Sequence, residues 1–345
     1  SFRKKLFIFG KKVYSRRDWG AELKASCEDK FRTLYNHARY PENREQLNRL
    51  RACKGKRILY VTDSLEFVGG VETRLAKQIR FLRLFTGWEC ALLTENNVFP
   101  PSFDFINFHL DFHAPNFSDC LVHIVRKGEF DFVEFQCKAS EYICHVNLRL
   151  LKRFCKVGMA VHGVIKIDRM LVDQMDYCFF ASSYLNDLLG LKTRDGRPLP
   201  VIRNWIDSIM PKWSYAGQNR ALFISRVDDE KFPTLKSFLR VCKDIGCDYE
   251  IAGDMNKPSR MKNFIRDMEP GRFIGPVDTV QFLEQNANNY LFVGGVGQVS
   301  LEALSFGIPA LVAAHHENHE YSRFVVRDNF DCLASNNFVI NHFLP

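Results

Sequence analysis

Apolar residues in this chain gather in short unbroken runs, and between them lie stretches where they recur at helical spacing. The first clear unit opens with "ILYVT" (Ile58–Thr62), turns through the glycines of "LEFVGGVE", and continues as "TRLAKQIRFLRLF". A continuous apolar run predicts a buried strand and the 3.6-residue period a helix, so this is the first half of a βαβ unit. "WECALLTE" (Trp88–Glu95), "FDFVEFQ" (Phe130–Gln136), "VGMAVHG" (Val157–Gly163) and "YCFFASS" (Tyr177–Ser183) predict further strands, the last followed by a helix at "YLNDLLG". The proline-bounded "PLPVIRNWID" (Pro198–Asp207) closes that series. The alternation then restarts with the strands "RALFISRV", "DYEIAGD", "RFIGPV", "YLFVGG" and "PALVAA". Helices at "PTLKSFLRVCKDI", "RMKNFIRDM", "TVQFLEQNA" and "VSLEALSFG" separate them. Two successive α/β alternations predict two Rossmann-like domains, 56–207 and 208–345, facing a central cleft.

Composition adds a third segment. The 345 residues carry a formal net charge of +8. Residues 1–57 hold about 17 Lys and Arg against about 6 Asp and Glu, so the remainder is slightly acidic. Residues 1–55 therefore read as a basic, mostly helical extension. Its first 20 residues mix cations with Phe2, Leu6, Phe7, Ile8, Phe9, Tyr14 and Trp19. Such a segment suits peripheral contact with an anionic membrane, or a solvated extension packed on the next domain. No motif accompanies the charge that would make nucleic acid a partner. No apolar run reaches the roughly 18 residues of a membrane span and no secretory signal is visible, which fits a cytoplasmic protein, at most peripheral on the inner face of the membrane. Eleven cysteines stand singly, none in a C-x-x-C pair, as reduced thiols do in a reducing cytosol.

In open parallel sheets ligands bind beyond the carboxyl ends of the strands. Gly69 and Gly70, His162, the loop "SRVDDEK" (Ser225–Lys231) and "GGVGQVSLE" (Gly294–Glu302) all fall at such ends. Backbone amides at a helix start suit a phosphorylated ligand. Arg226 and Lys231 could bracket a loop and hold a diphosphate, or stand as surface cations paired with Asp228, Asp229 or Glu230.

The ordered set "GGVETRLAKQIRFL", "VHG", "VIRNWID", "LFISRVDDEK", "YEIAGD", "FIGPVD" and "GGVGQVSLEALSFGIPALVA" resembles family 4-like retaining glycosyltransferases of the GT-B fold, over about residues 57–325. The resemblance implies transfer of a sugar from a UDP- or GDP-linked donor to a glycan or lipid-linked acceptor, with retention and without a metal or other cofactor. The setting it implies is surface polysaccharide or lipopolysaccharide assembly. Arg226 and Lys231 match the cations that hold the diphosphate, and His162 the histidine beside the donor sugar. Glu302 matches the second acid of the family's Glu–seven residues–Glu motif, which accepts bonds from the ribose. Gly297, Val299 and Ser300 would present the phosphate-binding helix start, Gly69 and Gly70 a close backbone approach, and Ile274, Pro276 and Val277 the nucleobase region.

The chain also departs from that pattern. Gly294 stands where the family has its first Glu, which implies a different sugar, a substitute side chain or weakened activity. Arg203 and Trp205 replace the usual Pro and Gly, and the resemblance implies helices beyond Pro345, so the donor domain is expected to be truncated. A GT-B-like binding or scaffold module without turnover, and a nucleotide-sugar epimerase on the same architecture, are the alternative functions. His315 and His319 in "HHENH" have helical i, i+4 spacing, yet lack the Glu of a zinc motif and read as a cleft loop, where Glu317 and Glu320 could stand in for the missing acid. Asp104 is followed by Phe105 and Ile106, so a metal-binding Asp-x-Asp is not present. Asp131 and Glu134 read as structural, and His109, His113 and His123 as packing or acceptor-side residues of an aromatic loop.

Overall fold

A computed structural model describes residues 7–8, 11–12, 42–62, 70–95, 105–136, 140–162, 167–206, 209–254, 259–268, 272–313 and 322–338. Near the start, β1 (Phe7–Ile8) pairs antiparallel with β2 (Lys11–Lys12). Helix α1 (Glu42–Arg51) follows, within the segment read from sequence as a separate extension. Its Leu47 and Leu50 are buried in the core of the first half, and Asn43 brackets the backbone of His109, donating to its carbonyl at 2.7 Å and accepting from its amide at 2.8 Å.

The first half is a six-stranded, wholly parallel sheet. Its strands are β3 (Arg57–Thr62), β4 (Glu89–Thr94), β5 (Ile106–His109), β6 (Phe132–Phe135), β7 (Lys156–Val161) and β8 (Tyr177–Phe180), in the order β5-β4-β3-β6-β7-β8. β3 is buried along its entire length, the reason its apolar run does not alternate. Helices α2 (Gly70–Thr86), α3 (Phe117–Gly128), α4 (Ser140–Ile143), α5 (Leu148–Leu151), α6 (Arg169–Asp173) and α7 (Ser183–Leu189) connect or flank these strands. The aromatic loop expected around His109 and His123 is in fact β5 and α3. Phe117, Leu121, Val122, Ile124 and Val125 form the inward stripe of that helix, a 3.6-residue period that the surrounding aromatics obscure.

The second half repeats the plan. β9 (Arg220–Ile224), β10 (Asp248–Ala252), β11 (Phe273–Gly275), β12 (Phe292–Gly295), β13 (Ala310–Ala313) and β14 (Ser322–Phe324) lie in the order β11-β10-β9-β12-β13-β14. All pairs are parallel except β13 with β14. Between them run α8 (Phe232–Ile245), α9 (Arg260–Arg266), α10 (Thr279–Asn286) and α11 (Gln298–Ser305), with α12 (Arg327–Ser335) after β14. Local chemistry sets the helix ends. Ser259 and Asp278 cap α9 and α10 by accepting from the amides of Lys262 and Gln281, and Gly246 ends α8 in the left-handed region. Among the described residues no helix is long and apolar enough to cross a membrane.

In each sheet the strand order reverses once, between β3 and β6 and between β9 and β12. Those reversals are the crevices where open α/β sheets receive ligands. Gly294 lies in β12 beside the second reversal, but not facing it. A Cβ there would stand 2.4 Å from Cδ2 of the buried Phe238 on α8. A side chain at 294 enters the core behind the sheet, so a carboxylate at this position has no route to the cleft. We expect Gly294→Glu to lose at least about 3 kcal/mol of stability, from overpacking plus a buried charge. Denaturant unfolding checks this, and wild-type stability in the variant would show that the strand can rotate its faces.

Candidate functional site

The loop after β9 carries Arg226 and Lys231, and α11 starts just after the adjacent strand β12, so both belong to one carboxyl edge. Lys231 stands at the entrance to α8, its amide turned onto Asp228 Oδ1 at 2.9 Å. This turn brings the two cations onto one acid. Arg226 Nη2 lies 3.3 Å from Glu230 Oε2 and Lys231 Nζ lies 3.0 Å from Glu230 Oε1, with Arg226 Nε 3.5 Å from Asp228 Oδ2. Burial pushes the Glu230 carboxyl up, but Lys231 and Arg226 outweigh it and hold the group below its ordinary range. The two cations converge, and each is paired with an acid of its own loop.

Helix α11 begins at Gly297, whose φ of 62° and ψ of −122° favour glycine, and whose amide donates to Phe338 O at 2.9 Å. The amides of Gln298, Val299 and Ser300 find no acceptor among the described residues, as the first turn of a helix predicts. Two side-chain atoms of the same turn are buried without a partner, Gln298 Oε1 and Ser300 Oγ. Gln298 Nε2 is anchored on Trp205 O at 3.1 Å, which fixes its amide across the junction of the two halves.

Glu302, one turn further along α11, is only 3% exposed and is held by Lys77 of α2, Nζ to Oε1 at 2.9 Å. Lys77 is itself buried, and α2 and α11 pack together. Desolvation raises the Glu302 carboxyl, with Lys77 and Gln298 pulling the other way. The acid that the resemblance assigns to a ribose thus already has an ammonium on one oxygen, contributed by the opposite half.

His162 directly follows β7, as the sequence predicts, with both ring nitrogens engaged. Arg74 Nη1, an obligate donor, lies 3.1 Å from Nδ1, and Nε2 lies 2.7 Å from Gln136 Oε1. Gln136 in turn donates to Glu134 Oε1 at 2.8 Å, and Tyr177 donates to Glu134 Oε2 at 3.2 Å. The chain of donors assigns a neutral imidazole with its proton on Nε2. Burial, and then the Arg74 charge, lower the His162 pKa from 6.5 to about 3. Burial raises the Glu134 carboxyl despite these bonds, so the acid read as structural closes a polar network in the core.

Ile274 and Pro276 are exposed and Val277 half-buried at the end of β11, two strands from β9 and so roughly 10 Å along the same edge. Gly70 is the first residue of α2. Gly69, and His315, Glu317, His319 and Glu320 of the "HHENH" loop, lie outside the described residues. Sequence reasoning missed Arg74, Lys77, Gln136 and the side chain of Gln298, a residue it placed only in the phosphate-binding helix start. A signal existed for the first two: they sit i, i+3 on the stripe of α2 that also carries Leu75 and Ile79, a place where a cation needs a partner.

Both halves together have the architecture of solved GT-B proteins. The chain is similar to a glycosyltransferase from Rickettsia africae ESF-5 at 13% identity, with 74% of this chain and 79% of that one covered and a TM-score of 0.56. It is likewise similar to an alpha-glucosyltransferase in complex with UDP-glucose and DNA containing an abasic site, at 13% identity, 74% and 79% coverage and a TM-score of 0.51. No family model matches the chain, and no curated protein does. At such identity the likeness establishes a two-domain α/β fold of the GT-B type.

The ion pair and the histidine each give an expectation. Lys77→Met strands a buried carboxylate and should lower the unfolding free energy by about 3 kcal/mol or more, and Lys77→Met with Glu302→Leu should recover most of it. Urea unfolding of the three proteins decides, and a single variant as stable as wild type would refute the buried contact. For His162 the native pKa lies below the unfolded one, so stability is full above about pH 6.5 and is lost as pH falls toward about 3. Between pH 7.5 and pH 5 that loss amounts to about 2 kcal/mol, and it should be absent from His162→Gln in parallel denaturation curves.

Proposed function

We propose that this protein is a retaining glycosyltransferase that takes a sugar from a nucleotide diphosphate and delivers it to a glycan or lipid-linked acceptor. The observation that carries the reading is the start of α11, where three free amides and the unpartnered Ser300 Oγ and Gln298 Oε1 lie beside the Arg226–Lys231 loop at the sheet's reversal point. Amides and a helix N-terminus call for phosphate oxygens. An orphaned carbonyl oxygen calls for a hydroxyl. A nucleotide sugar presents both.

In this mechanism the ligand's diphosphate takes over Arg226 and Lys231 from Asp228 and Glu230. As the bond to the anomeric carbon breaks, negative charge grows on the departing diphosphate, and the two cations and the α11 amides are already in place to meet it. Charge compensation then comes from the protein, so no metal is assigned to the step. His162, fixed neutral between Arg74 and Gln136, gives the donor sugar a rigid wall and takes no part in proton transfer. Glu302, held by Lys77 and Gln298, has its remaining lone pairs to offer the ribose, and the end of β11 around Ile274, Pro276 and Val277 is assigned to the base. UDP is favoured over GDP because a structural neighbour with the same fold holds UDP-glucose. Surface polysaccharide or glycolipid assembly is the proposed setting, with the basic aromatic residues 1–20 resting on an anionic membrane.

Thermal shift against UDP, GDP, ADP and CMP should single out one diphosphate, since binding to the native state alone raises the melting point. Arg226→Ala should then cut turnover on the matching sugar conjugate by on the order of 10²–10³. Failure of every common sugar donor to release its nucleotide, with glycan, lipid and DNA acceptors supplied, would sink the reading. A new nucleotide sugar formed without acceptor would replace it with epimerisation.

A further inference from the structure

Among the described residues three cationic side chains are buried: Arg57, Arg74 and Lys77. Arg57 lies 3.3 Å from the carboxylate of Glu129, and Lys77 has Glu302. Arg74 is the exception. It is 2% exposed, and among the described residues no carboxylate forms an ion pair with it; the opposite charge that acts on it is the buried Glu134, reached through His162 and Gln136. Its Nη1 faces His162 and its Nη2 donates to Ile202 O at 2.8 Å, both uncharged acceptors, while Nε has no acceptor among the described residues. Aromatic faces flank it, with Cζ 5.4 Å from the Phe179 ring centroid and 5.6 Å from that of Trp205. Those contacts soften the burial of a charge but do not replace a counter-ion. Burial lowers its pKa to about 10, which leaves it cationic at neutral pH.

Its position gives the charge a purpose. Arg74 lies on the same face of α2 as Lys77, and that helix packs on α11. Trp205 bridges the remaining gap: its ring lies over the Arg74 guanidinium and its carbonyl accepts from Gln298, the first residue of α11. Trp205 therefore links the guanidinium to the helix whose first turn carries the amides of 298–300. Elsewhere at the site each cation already has an acid, Arg226 and Lys231 sharing Glu230 and Lys77 holding Glu302. Arg74 supplies a positive charge answered only at longer range, by Glu134, and by no paired carboxylate of its own.

We propose that Arg74 is a phosphate-binding residue of this site, contributed by the first half, with its Nε–H turned onto an oxygen of the ligand's diphosphate. The assignment rests on the nucleotide-sugar reading above. It adds that the diphosphate is clamped from both sides of the cleft, by the β9 loop on one side and α2 on the other. Arg74 keeps His162 in place through Nη1 throughout, so one side chain joins the sugar wall to the phosphate.

The test uses the full chain, with inorganic pyrophosphate, UDP and uridine as probes in calorimetry at low ionic strength. Arg74→Met should weaken pyrophosphate and UDP at least tenfold and leave uridine unchanged. The same change leaves His162 Nδ1, Ile202 O and the buried Glu134 without their donor or opposite charge, so a lower melting point is expected on any reading and the binding ratio is the deciding readout. A residue with only a structural role leaves the affinity for pyrophosphate, measured on folded protein, unaltered, and that result overturns the proposal. If Arg74→Met does not fold, Arg74→Lys decides. It keeps the charge but loses the fork, so pyrophosphate binding three- to tenfold weaker is expected, and wild-type affinity overturns the proposal. Wild-type protein that binds UDP as tightly as Arg74→Met does removes this assignment and leaves the glycosyltransferase reading standing. Wild-type protein that binds neither pyrophosphate nor UDP removes both.

Discussion

The ammonium of Lys77 and the carboxylate of Glu302, 2.9 Å apart and withdrawn from water, join residues 225 positions apart in the chain and tie one half of the molecule to the other. Neither charge tolerates burial alone, so the contact constrains both helices that carry it. With α2 fixed against α11, Arg74 comes to lie beside Trp205 and His162, and the first turn of α11 faces the junction rather than bulk solvent. A buried ion pair is weak evidence for stability, since an apolar pair of similar volume packs as well. Its value here is specificity: it permits one register of the two helices. It also means that any ligand hydroxyl bound by Glu302 shares that acid with a cation from across the cleft.

Strand order does the rest of the positioning. Each sheet begins at its centre, builds outward to one edge, and returns to the centre before building the other way. The loop after the first strand of the second half and the helix after its fourth are thereby made neighbours, although some 70 residues separate Arg226 from Gln298. Neither segment is a site by itself. The β9 loop holds cations that neutralise their own acids, and α11 holds donors with nothing to receive them. On the proposed reading a diphosphate would resolve both conditions at once, competing for the cations and satisfying the amides.

Much of this architecture was legible in the sequence because parallel strands buried on both faces leave unbroken apolar runs, and the glycine-led turns mark their carboxyl ends. β3, β7, β9 and β12 fall where those runs predict. The errors have physical causes. β5 is four residues long and α3 is crowded with phenylalanines and histidines, so neither gave a clean period. The partner of Glu302 was hidden because long-range pairing leaves no trace in local spacing. Lys77 is nonetheless a cation on the buried stripe of a helix, and that is the one kind of residue a periodicity argument can single out as needing an opposite charge elsewhere.

Gly294 shows how a departure from a pattern changes meaning once geometry is known. From sequence it is an acid lost from a site, which invites the view that activity is weakened. In the fold its missing side chain would point at Phe238, behind the sheet, where no ligand comes. The vacancy is therefore filled by packing, and the question of what meets the ligand's hydroxyls passes to groups that do face the junction. Gln298 Oε1 is such a group, buried, unpartnered and held in orientation by Trp205. A neutral amide in place of a carboxylate lowers the negative charge near the diphosphate, and with Arg226 and Lys231 already half-spent on Glu230, that difference favours anion binding. The loss of the acid therefore leaves less negative charge at the junction than the pattern's own carboxylate would.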